Sequence, residues 1–406
     1  MHCKSPVSKS GVRHVRRVLR SAVATVVSGA SLFVLPTLVS AQAVCPVTQV
    51  ASDLQSPLSL VMTPQRNLLV AESGDGALNT GRISIVGLDG IRRTLLAGLP
   101  SGLNDVGSPS GPAGLALRGR TLFALMGVGD SVQNATVPGQ FEANPEPASP
   151  LFSSILAIHF SAHLEQTTMG YTLSLDDQHF LATGGKLTLS QGGGEGITVE
   201  LVADFPDYTP LPTASVPDGV RGSNPFALVA LGNQLFVTDG AQNQLRQVDI
   251  ATGAYFTVAS FAGVPNPLPI GPPVIEPVPT GIAAAGDRLL VTLFSGVPFA
   301  PGTSSVVEVD PATGEVSSLI SDLTTAIGIL PVKRPEDRGY LVLQLSSGPG
   351  LFFSGPGLLL RAGASGVIQT QVIGCLTAPT AMALDPRTGA MYVTDLTGRI
   401  VAIAVY

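Results

Sequence analysis

The 406-residue chain is 45% apolar and 12% charged, with 46 Gly and 33 Pro. Its apolar content excludes a disordered chain, and its abundance of turn-formers excludes an architecture of long helices. The formal net charge of −6 points away from phosphate backbones, which excludes nucleic-acid binding.

Residues 1–43 read as a leader and not as part of the fold. Lys4, Lys9, Arg13, Arg16, Arg17 and Arg20 make a basic start, residues 21–40 an apolar stretch, and Ala41-Gln42-Ala43 a small-x-small cleavage site. This predicts a signal peptide and a secreted or periplasmic protein without a lipid anchor. Six of the 22 basic residues and none of the 28 acidic ones lie in the leader, so the mature chain would carry 16 against 28, a net −12. No later stretch is long and apolar enough to predict a membrane span. Two cysteines remain, Cys45 and Cys375, an even count that predicts one disulfide in an oxidising compartment.

The repeat begins at Pro57, with apolar runs over 57–61, 68–72, 81–86 and 93–97. Second-copy runs start at Pro112 and Leu122. The third copy is the clearest. Asn224-Pro225 opens it, 226–231 is apolar, Gly232-Asn233 makes a tight turn, and 234–238 and 244–249 follow before Thr252-Gly253. Short apolar runs separated by Gly, Asn and Asp turns predict an antiparallel meander. The fourth copy starts at Pro279, a degenerate fifth spans 326–373, and the last starts at Pro379 and ends one strand short. Residues 47–51 form an unassigned strand that can complete it.

Four-stranded units of about 40–50 residues, the last completed from the other terminus, predict an all-β, six-bladed β-propeller over residues 44–406. The gap from Pro112 to Pro225 is about twice the others. We expect a hairpin insert there over about 161–196, with seven blades as the alternative. Cys45 and Cys375 flank the closing blade and are expected to staple it.

Several segments together resemble the ScyD/ScyE family of exported proteins. They are residues 98–104 with 110–116, Ser223-Asn224-Pro225-Phe226, 297–302 followed by 309–314, and 376–379. The resemblance covers roughly residues 45–405 and departs at the insert. It implies an exported propeller related to the NHL-type and gluconolactonase-like ones, and it leaves the activity open.

In a propeller, the turns leaving second strands and entering first strands open around the channel mouth. Here they carry Glu72, Asn104, Asp105, Asp130, Asp218, Arg221, Asn224, Asp239 and Asp395. Carboxylates and amides suit a hard cation such as Ca²⁺, and Glu72, Asn104, Asn224 and Asp239 form the expected ligand set, since gluconolactonase-like propellers use acids and an amide. The same residue types also cap tight turns, and Asp239 and Asp395, each in Val-Thr-Asp, fit that role. His159 and His163 are separated by a strand, and no G-x-S-x-G supplies a nucleophile elbow. The sequence therefore predicts a monomeric binding or scaffolding module for a small molecule or envelope protein. A metal-dependent lactonase or esterase at the same mouth is the alternative.

Overall fold

In the computed structural model, the described residues are 45–190, 195–334, 337–348 and 353–405. The leader expected over 1–43 lies outside them. Apart from two short helices, Leu164–Thr167 (α1) and Leu175–Ala182 (α2), the regular structure is strand.

The third copy shows why. Pro225–Leu231, Gln234–Asp239, Gln244–Asp249 and Tyr255–Ser260 pair in that order, all antiparallel. Gly232-Asn233 reverses the chain between the first two strands. At the third turn, Asp249 Oδ1 accepts the backbone N–H groups of Ala251 (3.1 Å) and Thr252 (2.9 Å), tying that turn. The second strand is buried along both faces. Leu235 and Val237 pack towards Phe123, Leu125 and Ile155, while Phe236 packs towards Leu289 and Val291. A strand covered on both faces gains nothing from polar alternation, which accounts for its unbroken apolar run.

The pattern recurs in six larger sheets among the described residues. The first is Pro57–Met62, Asn67–Glu72, Gly81–Gly87 and Arg92–Leu99. The second is Pro112–Arg118, Thr121–Met126, Ser154–His159 and Gly196–Asp204. The fourth is Pro279–Ala285, Arg288–Leu293, Ser304–Val309 and Val316–Leu323, and the fifth is Ala326–Arg334, Asp337–Gln344, Gly357–Gly363 and Ile368–Leu376. The sixth takes Pro379–Leu384, Ala390–Asp395 and Arg399–Ala404 from one end of the chain and Thr48–Ala51 from the other, where Thr48–Ala51 pairs with Arg399–Ala404.

The innermost strand of each sheet lies beside those of the sheets before and after it, and Pro379–Leu384 lies beside Pro57–Met62. Hydroxyls stitch several of these junctions. Ser73 Oγ donates to Pro112 O (2.9 Å), Thr238 Oγ1 to Thr280 O (2.6 Å) and Thr380 Oγ1 to Pro57 O (2.8 Å). The Cys45–Cys375 disulfide ties the segment entering Thr48–Ala51 to the outer strand of the fifth sheet, the pairing expected from the sequence.

Outer turns add a second set of contacts. Gly253 has φ +71°, and a Cβ there would stand 2.2 Å from the Val202 carbonyl oxygen of the preceding sheet; Gly314 meets Val258 O in the same way. Gly253→Ala should therefore cost about 2 kcal/mol or more, from left-handed backbone plus a forced displacement of Val202. A urea midpoint unchanged from wild type would contradict this.

The insert is more than the hairpin expected. Lys186–Ser190 does form a hairpin with Gly196–Asp204, but α1, α2 and Tyr171–Thr172 precede it, and Tyr171–Thr172 runs parallel to Arg92–Leu99. Ser174 opens α2 with a reciprocal cap: Ser174 Oγ accepts Asp177 N (3.1 Å) and Asp177 Oδ2 accepts Ser174 N (2.8 Å). α1 carries Glu165 into full burial, where Thr63 Oγ1 (2.6 Å), Asn67 Nδ2 (3.0 Å) and Arg120 Nη2 (2.6 Å) donate to it. The insert thus clasps turns of the first two sheets. A small sheet, Val132–Asn134, Phe141–Ala143, Gly219–Gly222 and Tyr208–Pro210, fills the rest of the long gap.

Candidate binding channel and its rim

Glu72, Asp239 and Asp395 occupy one structural position. Each ends the second strand of its sheet and stands opposite the proline that opens the first, Pro57, Pro225 and Pro379 respectively. An acceptor at that point collects backbone N–H groups of neighbouring loops. Glu72 Oε2 accepts from Gln55 N (2.6 Å), Asp239 Oδ1 from Asn224 N (2.9 Å) and Gln242 N (3.0 Å), and Asp395 Oδ1 from Thr397 N (2.9 Å).

Each carboxylate also meets arginine from its own sheet. Glu72 pairs with Arg82 (2.9 Å) and Arg92 (2.8 Å), Asp239 with Arg246 (2.9 Å), and Asp395 with Arg399 (2.8 Å). Gln344 fills the same position in the fifth sheet, opposite Ala326, and accepts from Thr324 N (2.5 Å). Met126 and Leu293 take it in the second and fourth, opposite Pro112 and Pro279. These acids are buried anchors, each serving its own sheet.

The other predicted rim residues serve their own loops. Asn104 Oδ1 ties its own loop by accepting from Val106 N (3.2 Å) and Ser108 N (2.9 Å). Asp130 Oδ1 accepts from Ala148 N (3.0 Å), while Asp105 is half-buried and Asp218 is exposed. Arg221 pairs with Glu276 (2.9 Å) and donates to Ala241 O. Of the expected set, Glu72 and Asp239 are each paired with arginine and Asn104 ties its own loop. Among the described residues, no three His, Cys, Asp or Glu side chains are placed to hold a metal ion.

One acidic pair beside the small sheet has a pH consequence. Surrounding protein, and secondarily the Asp207 charge, push the Asp204 carboxyl up to about 6, and burial also raises Asp207. Asp204 is itself exposed on the surface, so water screens the effect, and the shift sets a direction, not a size. The folded state holds this proton more tightly than the unfolded chain does. Stability from this group is therefore complete below about pH 4 and is lost as pH rises to about 6. Asp204→Asn should flatten that part of the profile. Parallel urea-midpoint profiles of wild type and variant between pH 4 and 6.5 would refute this.

The innermost strands enclose a cavity of about 430 Å³, within the range of small-molecule sites. Each of the six contributes to its wall, represented by Leu58, Leu117, Leu228, Ile282, Ile329 and Met382. Ala227, Ala284, Ala381 and Gly328 leave room between the larger side chains. No lining residue titrates, and Ser59 and Thr380 supply the side-chain hydroxyls. Both are engaged: Ser59 Oγ accepts from Leu115 N (3.2 Å), and Thr380 Oγ1 donates to Pro57 O (2.8 Å).

The end of the cavity at Phe226 is aromatic. Phe226 belongs to one apolar cluster with Val278, Phe294, Phe299 and Ile327. Phe353 packs on Phe299 (centroids 4.5 Å apart) and on Phe294 (5.8 Å), and it is half-exposed. The sequence placed carboxylates at this mouth. On the cavity wall the aromatic residue is Phe226, and Glu72, Asp239 and Asp395 are paired with their own arginines.

No protein-family model matches the chain, and no curated protein sequence is recognisably similar to it. Among solved structures, a Thermus thermophilus protein described as an oxidoreductase (glucose dehydrogenase) is 14% identical. Its TM-score is 0.47, with 88% of this chain and 99% of that one covered. A gluconolactonase of Xanthomonas campestris is 10% identical with TM-score 0.48, covering 88% and 89%. The PQQ-bound aldose sugar dehydrogenase of Streptomyces coelicolor is 12% identical with TM-score 0.45, covering 88% and 96%. Likeness at this level carries nothing about chemistry. No helix among the described residues is long and apolar enough to cross a membrane.

Proposed function

We propose that the chain is an exported six-bladed β-propeller, resembling the ScyD/ScyE family, that works as a binding module with its ligand in the central channel. The cyclic neighbourhood of the innermost strands, and a sixth sheet drawn from both ends of the chain, support the closed ring. One observation carries the functional reading. The cavity is walled by all six innermost strands, has no titratable side chain on its wall, and its two hydroxyls, Ser59 and Thr380, are engaged with backbone groups, which supports binding over turnover.

The test is to narrow the channel at two small residues of its wall. Ala284→Phe and Ala381→Phe each place a ring in the cavity from a position that is only partly buried. A thermal-shift screen of wild type against neutral small molecules should give hits. Those hits should disappear in both variants while the unliganded melting temperature stays within a few degrees. Hits that survive both substitutions would move the site elsewhere.

A metal-dependent lactonase would need the acids of the rim to be available to an ion. Their arginine partners make the expected outcome of Ca²⁺ titration, after chelation, an unchanged melting temperature. A clear rise would favour that second reading.

A further inference from the structure

The wall of the channel carries more information than the identity of its side chains. Each innermost strand stands at the end of its sheet: Pro57–Met62, Pro112–Arg118, Pro225–Leu231, Pro279–Ala285, Ala326–Arg334 and Pro379–Leu384 all pair with a second strand on one side only. A strand at a sheet edge presents a row of N–H and C=O groups at every second residue, about 6.5 Å apart. At the end bearing the prolines, some of these groups are satisfied by hydroxyls. Pro57 O, Thr280 O and Ala326 O accept from Thr380, Thr238 and Thr280, and Leu115 N donates to Ser59. Among the described residues the deeper lining, Leu60, Val61, Leu117, Ala230, Ala284 and Leu330, carries no hydroxyl. Backbone groups there must find water or a ligand.

Two constraints follow for an occupant. The wall offers no countercharge, so moving an ion from water into the channel is costly. The wall is also not an apolar sleeve, because peptide groups recur along its length between aliphatic side chains. We infer that the channel takes an uncharged molecule with an apolar body that carries hydrogen-bonding groups, such as carbonyl or amide, along its length. The aromatic end, Phe226 with Phe294, Phe299 and Phe353, is its entrance. This inference rests on the channel being the ligand site. It adds the chemical class that the site selects.

A matched pair of fluorescent probes separates the class from the site. N-phenyl-1-naphthylamine is neutral and offers one N–H. 1-Anilinonaphthalene-8-sulfonate has the same ring system with an added sulfonate. Titrated into the full mature protein, the neutral probe should bind at one site, at least tenfold more tightly than the sulfonate. That binding should be lost in Ala381→Phe. In a second variant, Ala284→Lys, the preference should reverse, because the channel then holds a countercharge; circular dichroism and the melting temperature would report whether each variant is folded. Equal affinity for the two probes, with both lost in Ala381→Phe, would overturn the inference about charge and leave the channel site standing. Failure of the neutral probe to bind, or binding indifferent to both channel substitutions, would overturn the inference together with the reading beneath it.

Discussion

Asp239→Ala is expected to destabilise the protein by about 3–5 kcal/mol, the scale for removing one partner of a buried ion pair. The carboxylate is fully buried and its partner Arg246 is 6% exposed, stacked over Phe205 at 4.8 Å. Removing Asp239 leaves that guanidinium almost without water. It also strips acceptors from Asn224 N, Gln242 N and Ser223 Oγ, three groups that hold the entry to the third sheet. The double variant Asp239→Ala/Arg246→Met should recover much of the loss, since the uncompensated charge is then gone. Chemical denaturation with both variants checks this. A single variant within 1 kcal/mol of wild type would contradict the anchor role.

Reduction of Cys45–Cys375, or the pair Cys45→Ser/Cys375→Ser, should cost up to about 5 kcal/mol. The two cysteines are 330 residues apart in sequence, and a cross-link that closes so long a loop restricts the unfolded chain near the upper end of the usual range. The folded state loses something as well. Thr48–Ala51 is held by pairing with Arg399–Ala404, and the bond fixes its leading end against the fifth sheet. The guanidinium midpoint should therefore fall on adding reductant, and fall equally in the double serine variant without it. Equal midpoints with and without reductant would contradict the stapling role.

Much of the fold was legible because its signals are local. Gly232-Asn233 marks a two-residue reversal, Thr252-Gly253 an outer turn, and the apolar runs between them are too short for helices. The degenerate fifth copy was also readable, since its runs fall on Tyr340 and its neighbours. The insert was harder. α2 buries only Gln178 and Leu181, so it shows almost no apolar stripe. Its one sequence signal was Ser174 followed three residues later by Asp177, the reciprocal cap.

The rim shows the other limit. Sequence could place Glu72 and Asp239 at the ends of second strands but could not say which way they turn. Their partners lie on the next strands, Arg82 and Arg92 for Glu72 and Arg246 for Asp239, and register across a sheet decides whether an acid meets arginine or a ligand. The channel itself was invisible for a related reason. Ala283, Ala284 and Ala381 all line the cavity, and each also packs against a hydrophobic cluster shared with a neighbouring sheet. The same short apolar run thus serves the cavity wall and the packing between sheets at once, and composition does not separate the two roles.

The most direct measurement is a crystal structure of the protein soaked with N-phenyl-1-naphthylamine. The account predicts probe density between the six innermost strands, reached past Phe226 and Phe299, with Glu72 and Asp239 still paired to their arginines. Probe density confined to the outer surface, or an ordered cation held by Glu72 or Asp239 with the arginines displaced, would contradict it.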